Sequence, residues 1–236
     1  MVKKVLSKIK GLLYGKNGAT ALDSFIGSIR PQLKTFETVL DVGAYHGDFV
    51  AEILAANNKI NVHVFEPFGA SFKLIGKRFK DHSNVTVNHA AVSDMAGLAS
   101  LHVNSFKETN SLLESSNVNE AIDSLTKKES TEQVAVISLD EYCREKDIHT
   151  IDLVKIDTQG NSYNVLKGME KMLLEKKVAY LYVEAEFVEI YRNEKLFSEI
   201  EMLMRSYGYG IVNIYNLNYI DGKRLGWCDV LFSPKN

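Results

Sequence analysis

The sequence predicts an α/β fold with a mostly parallel central sheet, helices on both of its faces and one antiparallel edge strand. The first observation is that short β-rich runs alternate with helical patterns, because strand–helix–strand repeats at this spacing form parallel βαβ units. The second is that three runs, VHVF, LVKI and YLYV, are apolar at nearly every position. Strands that are apolar on both faces of the pleat are typical of central strands covered by helices on each side.

Four strand–helix units and a terminal hairpin follow in order along the chain. The units are TVLDV with AEILAAN, NVHVFEP with SFKLIGKRFK, IDLVKID with VLKGMEKMLLEK, and VAYLYVEAE with KLFSEIEMLMRSYG, and NVTVNHAAVS adds a strand after the second unit. The turn-rich NLNYIDGKRLGW lies between GYGIVNIYN and CDVLFSP, which predicts a hairpin that closes one sheet edge antiparallel. In SLDEYC, Ser138 and Glu141 form a capping box, so Asp140 is expected to begin a helix rather than act as an acid.

The composition fits one globular domain over residues 1–236. Of the 236 residues, 45% are hydrophobic and 25% are charged, and the formal net charge of −2 gives no general attraction to nucleic acid or to an anionic membrane. Cys143 and Cys228 belong to no C-x-x-C or His/Cys cluster, which disfavours a zinc site or a disulfide framework. No apolar run approaches the ~18 residues of a membrane-spanning helix. We expect a cytoplasmic protein without a nucleic-acid partner, and the sequence leaves the oligomeric state open.

Two segments interrupt the strand–helix alternation. An N-terminal helical extension covers about residues 1–34, and its start, MVKKVLSKIKGLLYGK, is amphipathic, with the lysines mostly opposite the apolar face. Two interpretations stay open for it: a helix that packs on the core, or a helix that contacts a membrane surface or a partner. Residues from about 104 to 133 are rich in Ser, Asn, Thr and Glu, which predicts a mobile polar loop insertion.

The stretch TVLDVGAYHGDFV is the first candidate binding element. It reads as strand, turn and helix, and ligands of open parallel sheets bind where such turns leave the carboxyl ends of the strands. Gly43 and Gly47 allow a sharp turn and a close approach of the backbone. The G-x-G-x-x-G spacing of a dinucleotide site is absent, and Asp41 would repel phosphate groups but suits a cationic ligand.

Glu66 ends the next predicted strand, in NVHVFEP, about twenty residues beyond the turn. A carboxylate at that position accepts both hydroxyls of a ribose. A ligand with a ribose, a positive charge and no phosphates is S-adenosylmethionine.

The order VLDVGAYHG, VFEPF, NHAAVSDMAG, NSLL, ISLDEY, LVKIDTQGNSYNVLKGM and YVEAE resembles the FkbM family of S-adenosylmethionine-dependent methyltransferases. The resemblance covers residues from about 38 to 190, and KIDTQGNSYNVLKGM is its most specific piece. It implies a class I methyltransferase Rossmann-like fold and O-methylation of hydroxyls on sugars, glycoconjugates and natural products. The family pattern has K-I-D-x-E-G, so Gln159 is a departure from the expected glutamate.

The resemblance also implies a set of cofactor contacts. The methionine moiety is expected at the turn and the ribose at Glu66. Asp94, in AVSD, matches the acidic position that binds the adenine amine, although a turn residue before Gly97 is an equal interpretation. Phe68 either covers the adenine ring or packs in the core. The full expected cofactor set is Asp41, Gly43, Ala44, Tyr45, His46, Gly47, Glu66, Pro67, Phe68 and Asp94.

Methyl transfer to a hydroxyl is an in-line displacement that needs positioning and a base for the hydroxyl proton. Asp157, at the end of the fourth strand, is the first candidate base, and Glu184 in YVEAE is the second. Lys155 either orients these carboxylates or forms a structural ion pair. His46 is a weaker candidate base, since a residue of that turn more often contacts the methionine end.

The acceptor side is expected at Asn110 and Ser111 in NSLL, within the polar insertion, and at Gln159. A glutamine retains an acceptor oxygen and gains donors but binds a divalent cation poorly, so we expect a metal-independent enzyme in which Gln159 positions the acceptor. The late aromatic residues, among them Tyr219 and Trp227, either stack on a sugar or pack between strands. Two other functions stay open: a catalytically degenerate S-adenosylmethionine-binding protein, suggested by Gln159, and, on the shared fold alone, a nicotinamide-dependent dehydrogenase.

Overall fold

A computed structural model of the protein describes residues 21–235. The predicted amphipathic helix in MVKKVLSKIKGLLYGK lies outside these residues. In the part of the chain that the structure describes, no helix is both long and apolar enough to cross a membrane.

The chain alternates helices and strands in the predicted rhythm. Its helices are α1 (Ala21–Leu33), α2 (Asp48–Ala56), α3 (Gly69–Arg78), α4 (Glu120–Leu125), α5 (Leu139–Glu145), α6 (Ser162–Lys167), α7 (Glu170–Leu174) and α8 (Phe197–Ser206). Its strands are β1 (Thr38–Val42), β2 (Asn61–Phe65), β3 (Val85–Asn88), β4 (Ala91–Val92), β5 (Gly97–Asn104), β6 (Lys128–Ile137), β7 (Ile151–Ile156), β8 (Val178–Glu186), β9 (Tyr209–Ile220) and β10 (Arg224–Pro234).

Seven strands form the central sheet in the order β3-β2-β1-β7-β8-β10-β9. β3, β2, β1, β7 and β8 pair in parallel, and β10 is antiparallel to both β8 and β9. The mostly parallel sheet is therefore confirmed. The reversed strand lies one position inside the edge, because β9 runs in the direction of β8 and the hairpin returns β10 between them.

Both faces of the sheet are covered by helices. Val39 of β1 packs in a buried cluster with Phe25 and Ile53 from α1 and α2. The next residue, Leu40, points to the opposite face and packs in the cluster that holds Leu166 of α6 and the other helices of that side. This alternation agrees with strands that are apolar on both faces of the pleat.

A second sheet of three strands, in the order β4-β6-β5, accounts for the remaining strands. The predicted strand NVTVNHAAVS is divided, because the chain leaves the main sheet after β3 and pairs Ala91 and Val92 with β6. The segment predicted as a polar loop contains a 3₁₀ turn (Lys107–Thr109), α4 and the first half of β6. Periodicity did not reveal β6, because its first four residues are exposed and polar on both faces of the strand.

Candidate active site

A cavity of about 710 Å³ lies over the carboxyl ends of β1, β2, β7 and β8. In the strand order, β2 lies on one side of β1 and β7 on the other, so the chain direction across the sheet reverses at β1. Open α/β sheets bind ligands at such a switch point. This cavity is therefore the candidate active site.

The turn after β1 forms one wall and needs glycine at both predicted positions. Gly43 has φ 78°, and a Cβ there would lie 1.8 Å from the carbonyl oxygen of Asp157. Gly47 also has φ 78°, and a Cβ there would lie 2.7 Å from Cε2 of Phe79. The turn can consequently lie directly against the end of β7, with Tyr45 between the two glycines facing the cavity.

Glu66 forms the next part of the wall. Its side chain is only 6% exposed, and its two oxygens accept hydrogen bonds from the backbone N–H of Tyr45 at 2.7 Å and of Phe68 at 2.8 Å. Burial raises the pKa of Glu66 to about 7, although these two hydrogen bonds lower it. Each oxygen retains a lone pair for a further donor.

Lys155 joins two carboxylates below the floor of the cavity. Asp41 and Lys155 are register partners on β1 and β7, so their side chains leave the sheet on the same face. Lys155 Nζ lies 3.4 Å from Asp41 Oδ1 and 3.5 Å from Asp157 Oδ2, and it donates a hydrogen bond to the Gly43 carbonyl at 2.7 Å. Burial alone would lower the pKa of Lys155, but the charges of Asp41, Asp157 and Glu184 outweigh burial, so the pKa is raised overall. Lys155 therefore stays protonated and orients its neighbours.

Gln159 connects the two candidate bases. Its Nε2 donates hydrogen bonds to Asp157 Oδ1 and to Glu184 Oε2, each at 2.8 Å. Its Oε1 accepts a hydrogen bond from the Tyr191 hydroxyl at 2.9 Å, and its backbone carbonyl accepts one from Ser111 Oγ at 2.6 Å. The amide therefore places donors between carboxylates that would otherwise repel each other.

A row of acidic side chains continues across the sheet. Asp229 of β10 lies opposite Glu184 of β8, and its Oδ2 accepts a hydrogen bond from the Tyr182 hydroxyl at 2.8 Å. Burial raises the pKa of Asp229 to about 6. The pKa of Glu184 is also raised, first by burial and then by the charges of Asp157, Glu186 and Asp229. This end of the cavity consequently favours cationic or hydrogen-bond-donating ligands.

The structure brings most of the predicted site residues together. The predicted residues that line the cavity are Gly43, Ala44, Tyr45, His46, Glu66, Pro67, Asn110, Ser111, Lys155, Asp157, Gln159 and Glu184. Asp41 and Gly47 do not line it: Asp41 is fully buried beneath Lys155, and Gly47 faces Phe79. Both residues support the cavity wall without being exposed to the cavity.

Asp94 and Phe68 do not line the cavity. Asp94 is exposed in the turn between β4 and β5, beside a separate shallow depression, because the pairing of β4 with β6 carries the chain away from the site. Ala90 and Ala91 line the cavity in that region instead. Phe68 packs against the apolar cluster of the three-stranded sheet. The geometry thus favours the turn interpretation for Asp94 and the packing interpretation for Phe68.

Several lining residues were not found from the sequence, notably Tyr182, Glu186, Tyr191 and Asp229. Glu186 had a usable signal, because it follows Glu184 by two residues in YVEAE and so faces the same side of the strand. Tyr191 lies in an irregular segment with no periodic pattern. Of the late aromatic residues, Tyr219 and Trp227 line the cavity, whereas Tyr207 and Tyr209 are buried in the core.

Comparison with known families decides the assignment of this site. The family model of the methyltransferase FkbM domain matches residues 41–211, more than half of the chain. The chain belongs to the FkbM methyltransferase family. The FkbM match spans the turn after β1, Glu66, the KIDTQG segment and the acidic end of β8, whereas Tyr219, Trp227 and Asp229, which also line the cavity, lie beyond it. Membership also removes the basis for a nicotinamide-dependent dehydrogenase.

The chain is also similar, at low sequence identity, to several solved structures. The O-MT region of StiE is similar with a TM-score of 0.51 and 8% identity, over 90% of this chain and 74% of that chain. The N-terminal domain of EvdMO1, determined in the presence of SAH and D-fucose, gives a TM-score of 0.49 and 8% identity over 99% of this chain and 97% of that chain. Precorrin-6y C5,15-methyltransferase from Geobacter metallireducens gives a TM-score of 0.48 and 10% identity over 94% of this chain and 93% of that chain. No curated protein sequence matches the chain.

Proposed function

We propose that this FkbM family member transfers a methyl group from S-adenosylmethionine to a hydroxyl of a saccharide, glycoconjugate or related small molecule. The observation that supports this most is that the Gly43 turn and Glu66 border the same cavity as Asp157, Gln159 and Glu184. One part of this cavity suits a nucleoside without phosphates, and the other suits an acceptor hydroxyl and its proton.

The residues at the turn fit the cofactor. Glu66 is buried, and each of its oxygens has one lone pair left for a ribose hydroxyl. Ala44, Tyr45 and His46 line the cavity beside Asp157, so a sulfonium placed there would be close to negative charge. The volume of about 710 Å³ is in the range of sites for ligands of this size.

When bound, the cofactor supplies a methyl group on a sulfonium, and the protein contributes position and proton acceptance. Asp157 is the proposed proton acceptor, because its side chain is 38% exposed at the cavity wall and is held by Lys155 and Gln159. Glu184 is the second candidate, because its raised pKa favours the protonated form, which cannot accept a further proton. A carboxylate suits the proton of a hydroxyl group, which supports O-methylation.

The acceptor region favours small polar molecules over nucleic acid. Tyr219 and Trp227 line the cavity with Asp157, Glu184 and Asp229. Aromatic faces pack on sugar rings, whereas this concentration of carboxylates repels phosphodiesters. Asn110 and Ser111 border the same space from the segment before α4.

The proposed function is tested in two stages. Calorimetry with S-adenosylhomocysteine and with NAD measures cofactor choice, and we expect binding of the first alone. Mass spectrometry then follows the gain of one methyl group across nucleotide sugars, glycolipids, monosaccharides and simple alcohols. Absence of S-adenosylhomocysteine binding would contradict the proposal. Binding without any methylation, until Gln159→Glu restores turnover, would instead favour the degenerate alternative.

A further inference from the structure

The acidic end of the cavity, defined here as Asp157, Glu184, Glu186 and Asp229, contains more carboxyl groups than methyl transfer to a neutral alcohol requires. We propose that the acceptor carries a protonated amine near the hydroxyl that is methylated, and that Glu186 and Trp227 bind this amine. The inference rests on the proposed function and specifies its substrate class: an amino sugar or another amino alcohol.

The pairing of β8 with β10 places these groups on one wall. Glu184 and Glu186 are two residues apart on β8 and so face the same side of the sheet. Their register partners on β10 are Asp229 and Trp227. Directly opposed residues of antiparallel strands share a face, so Trp227 and Glu186 lie on the same face of the sheet, and both line the cavity.

Glu186 is the member of the acidic end whose hydrogen bonding is incomplete. Asp157 and Glu184 each accept a hydrogen bond from the Gln159 amide, and Asp229 accepts from Tyr182 and from Asn216. Glu186 is only 2% exposed, and its Oε2 has no hydrogen-bond partner. A buried polar atom without a hydrogen-bond partner destabilises the fold, so this oxygen points to a donor supplied by a ligand.

Among the described residues, no cationic side chain that lines the cavity forms an ion pair with Glu186. Lys155 contacts Asp41, Asp157 and the Gly43 carbonyl. Arg78 pairs with Asp48 at 2.6 Å, and Lys107 pairs with Glu129 at 2.6 Å. Burial and the neighbouring Glu194 raise the pKa of Glu186, and an ammonium group beside it would favour the ionised carboxylate and supply the missing donors. Trp227 lines the same cavity, where its ring can add a cation–π contact.

A divalent metal ion fits this end less well than an ammonium group. Within residues 21–235, no group of three or more His, Cys, Asp or Glu side chains has the geometry to hold a metal ion. The Gln159 amide also occupies an oxygen of Asp157 and of Glu184 with N–H donors. An ammonium group needs no such convergence of ligands, because each of its N–H groups bonds to a separate acceptor.

The experiment compares matched amine and neutral ligands on the full-length protein saturated with S-adenosylhomocysteine. The probes are D-glucosamine against N-acetyl-D-glucosamine and D-glucose, and 2-aminoethanol against ethylene glycol, titrated at neutral pH by ligand-observed NMR. We expect at least one amine to bind about tenfold more tightly than its neutral partner, as a charge-assisted bond to a buried carboxylate would give. Glu186→Gln should remove that preference and leave S-adenosylhomocysteine affinity unchanged.

The control is Glu145→Gln, at an exposed position on α5 that does not line the cavity, and it should retain the preference. The comparison of amine and neutral ligands uses the wild-type protein, so it tests the inference even if Glu186→Gln does not fold. Equal binding of amines and neutral partners to the saturated wild-type protein would overturn the inference and leave the proposed function intact. A preference that survives in a folded Glu186→Gln would overturn the assignment of the amine to this residue. Failure to bind S-adenosylhomocysteine would overturn both proposals.

Discussion

Glu66 offers a quantitative test of the cofactor site. Two ribose hydroxyls donating to a buried carboxylate form charge-assisted hydrogen bonds, each worth roughly 1.5–3 kcal/mol before solvent replaces part of the loss. Glu66→Ala should therefore weaken S-adenosylhomocysteine binding by about 2–3 kcal/mol, which is roughly a 30- to 150-fold increase in Kd. Calorimetry at pH 8 measures this value, with Glu145→Gln as the control.

The same carboxylate also supports the fold. Without it, the partly buried N–H groups of Tyr45 and Phe68 lose their acceptor, at up to about 1–3 kcal/mol each. The free energy of unfolding of each Glu66 variant must therefore be measured beside its affinity. Glu66→Gln retains one carbonyl acceptor and nearly the same volume, so it separates loss of charge from loss of the side chain.

The pH dependence provides a second observable from the same residue. Because burial raises the pKa of Glu66 to about 7, the carboxylate becomes protonated just below neutrality, and the protonated form is the weaker acceptor for ribose hydroxyls. S-adenosylhomocysteine affinity should fall as the pH falls below about 7, by up to roughly tenfold per pH unit. This slope should disappear in Glu66→Gln. Unchanged affinity in a folded Glu66→Ala, or an identical pH slope in Glu66→Gln, would refute the ribose assignment.

Three further predictions concern Gln159 and the carboxyl groups that line the cavity. Asp157→Asn should lower kcat by roughly 10² to 10⁴-fold while S-adenosylhomocysteine affinity stays within a few-fold of wild type. Full activity in Asp157→Asn together with loss of activity in Glu184→Gln would instead make Glu184 the base. Turnover should survive EDTA, because the Gln159 amide is a poor ligand for a divalent cation, and loss that magnesium restores would contradict this. Burial raises the pKa values of Glu66 and Asp229 to about 7 and about 6, so the native state binds more protons than the unfolded state between about pH 4 and 7. Their contribution to the free energy of unfolding is therefore lost as the pH rises through this window. Urea titrations at about pH 5 and pH 8 should show a smaller difference in the free energy of unfolding between the two pH values in Glu66→Gln than in wild type. An equal difference in both proteins would count against the raised pKa of Glu66.

The sequence by itself determined the features that depend on neighbouring residues. The strand–turn–helix around Gly43, the acidic end of β2 at Glu66 and the apolar strands of the parallel sheet all follow from local periodicity and from the conformational freedom of glycine. The helix cap at Ser138 was also local: its hydroxyl accepts from the Glu141 backbone N–H, and the Asp140 carboxylate accepts from the start of α7 rather than lining the cavity. Matching these elements in order was sufficient to recognise the family.

Tertiary structure decided which distant residues meet. The insertion of β10 between β8 and β9 places Asp229 opposite Glu184, and this pairing cannot be derived from either strand alone, since alternation fixes the face of a side chain but not its neighbour across the sheet. Tyr191 reaches Gln159 from an irregular segment, which fixes the amide between the two carboxylates. Asp94 shows the converse, because the pairing of β4 with β6 turns a motif-matching residue away from the site. Local patterns could therefore supply the candidate groups, whereas only the pairing of distant strands selected the ones that share the cavity.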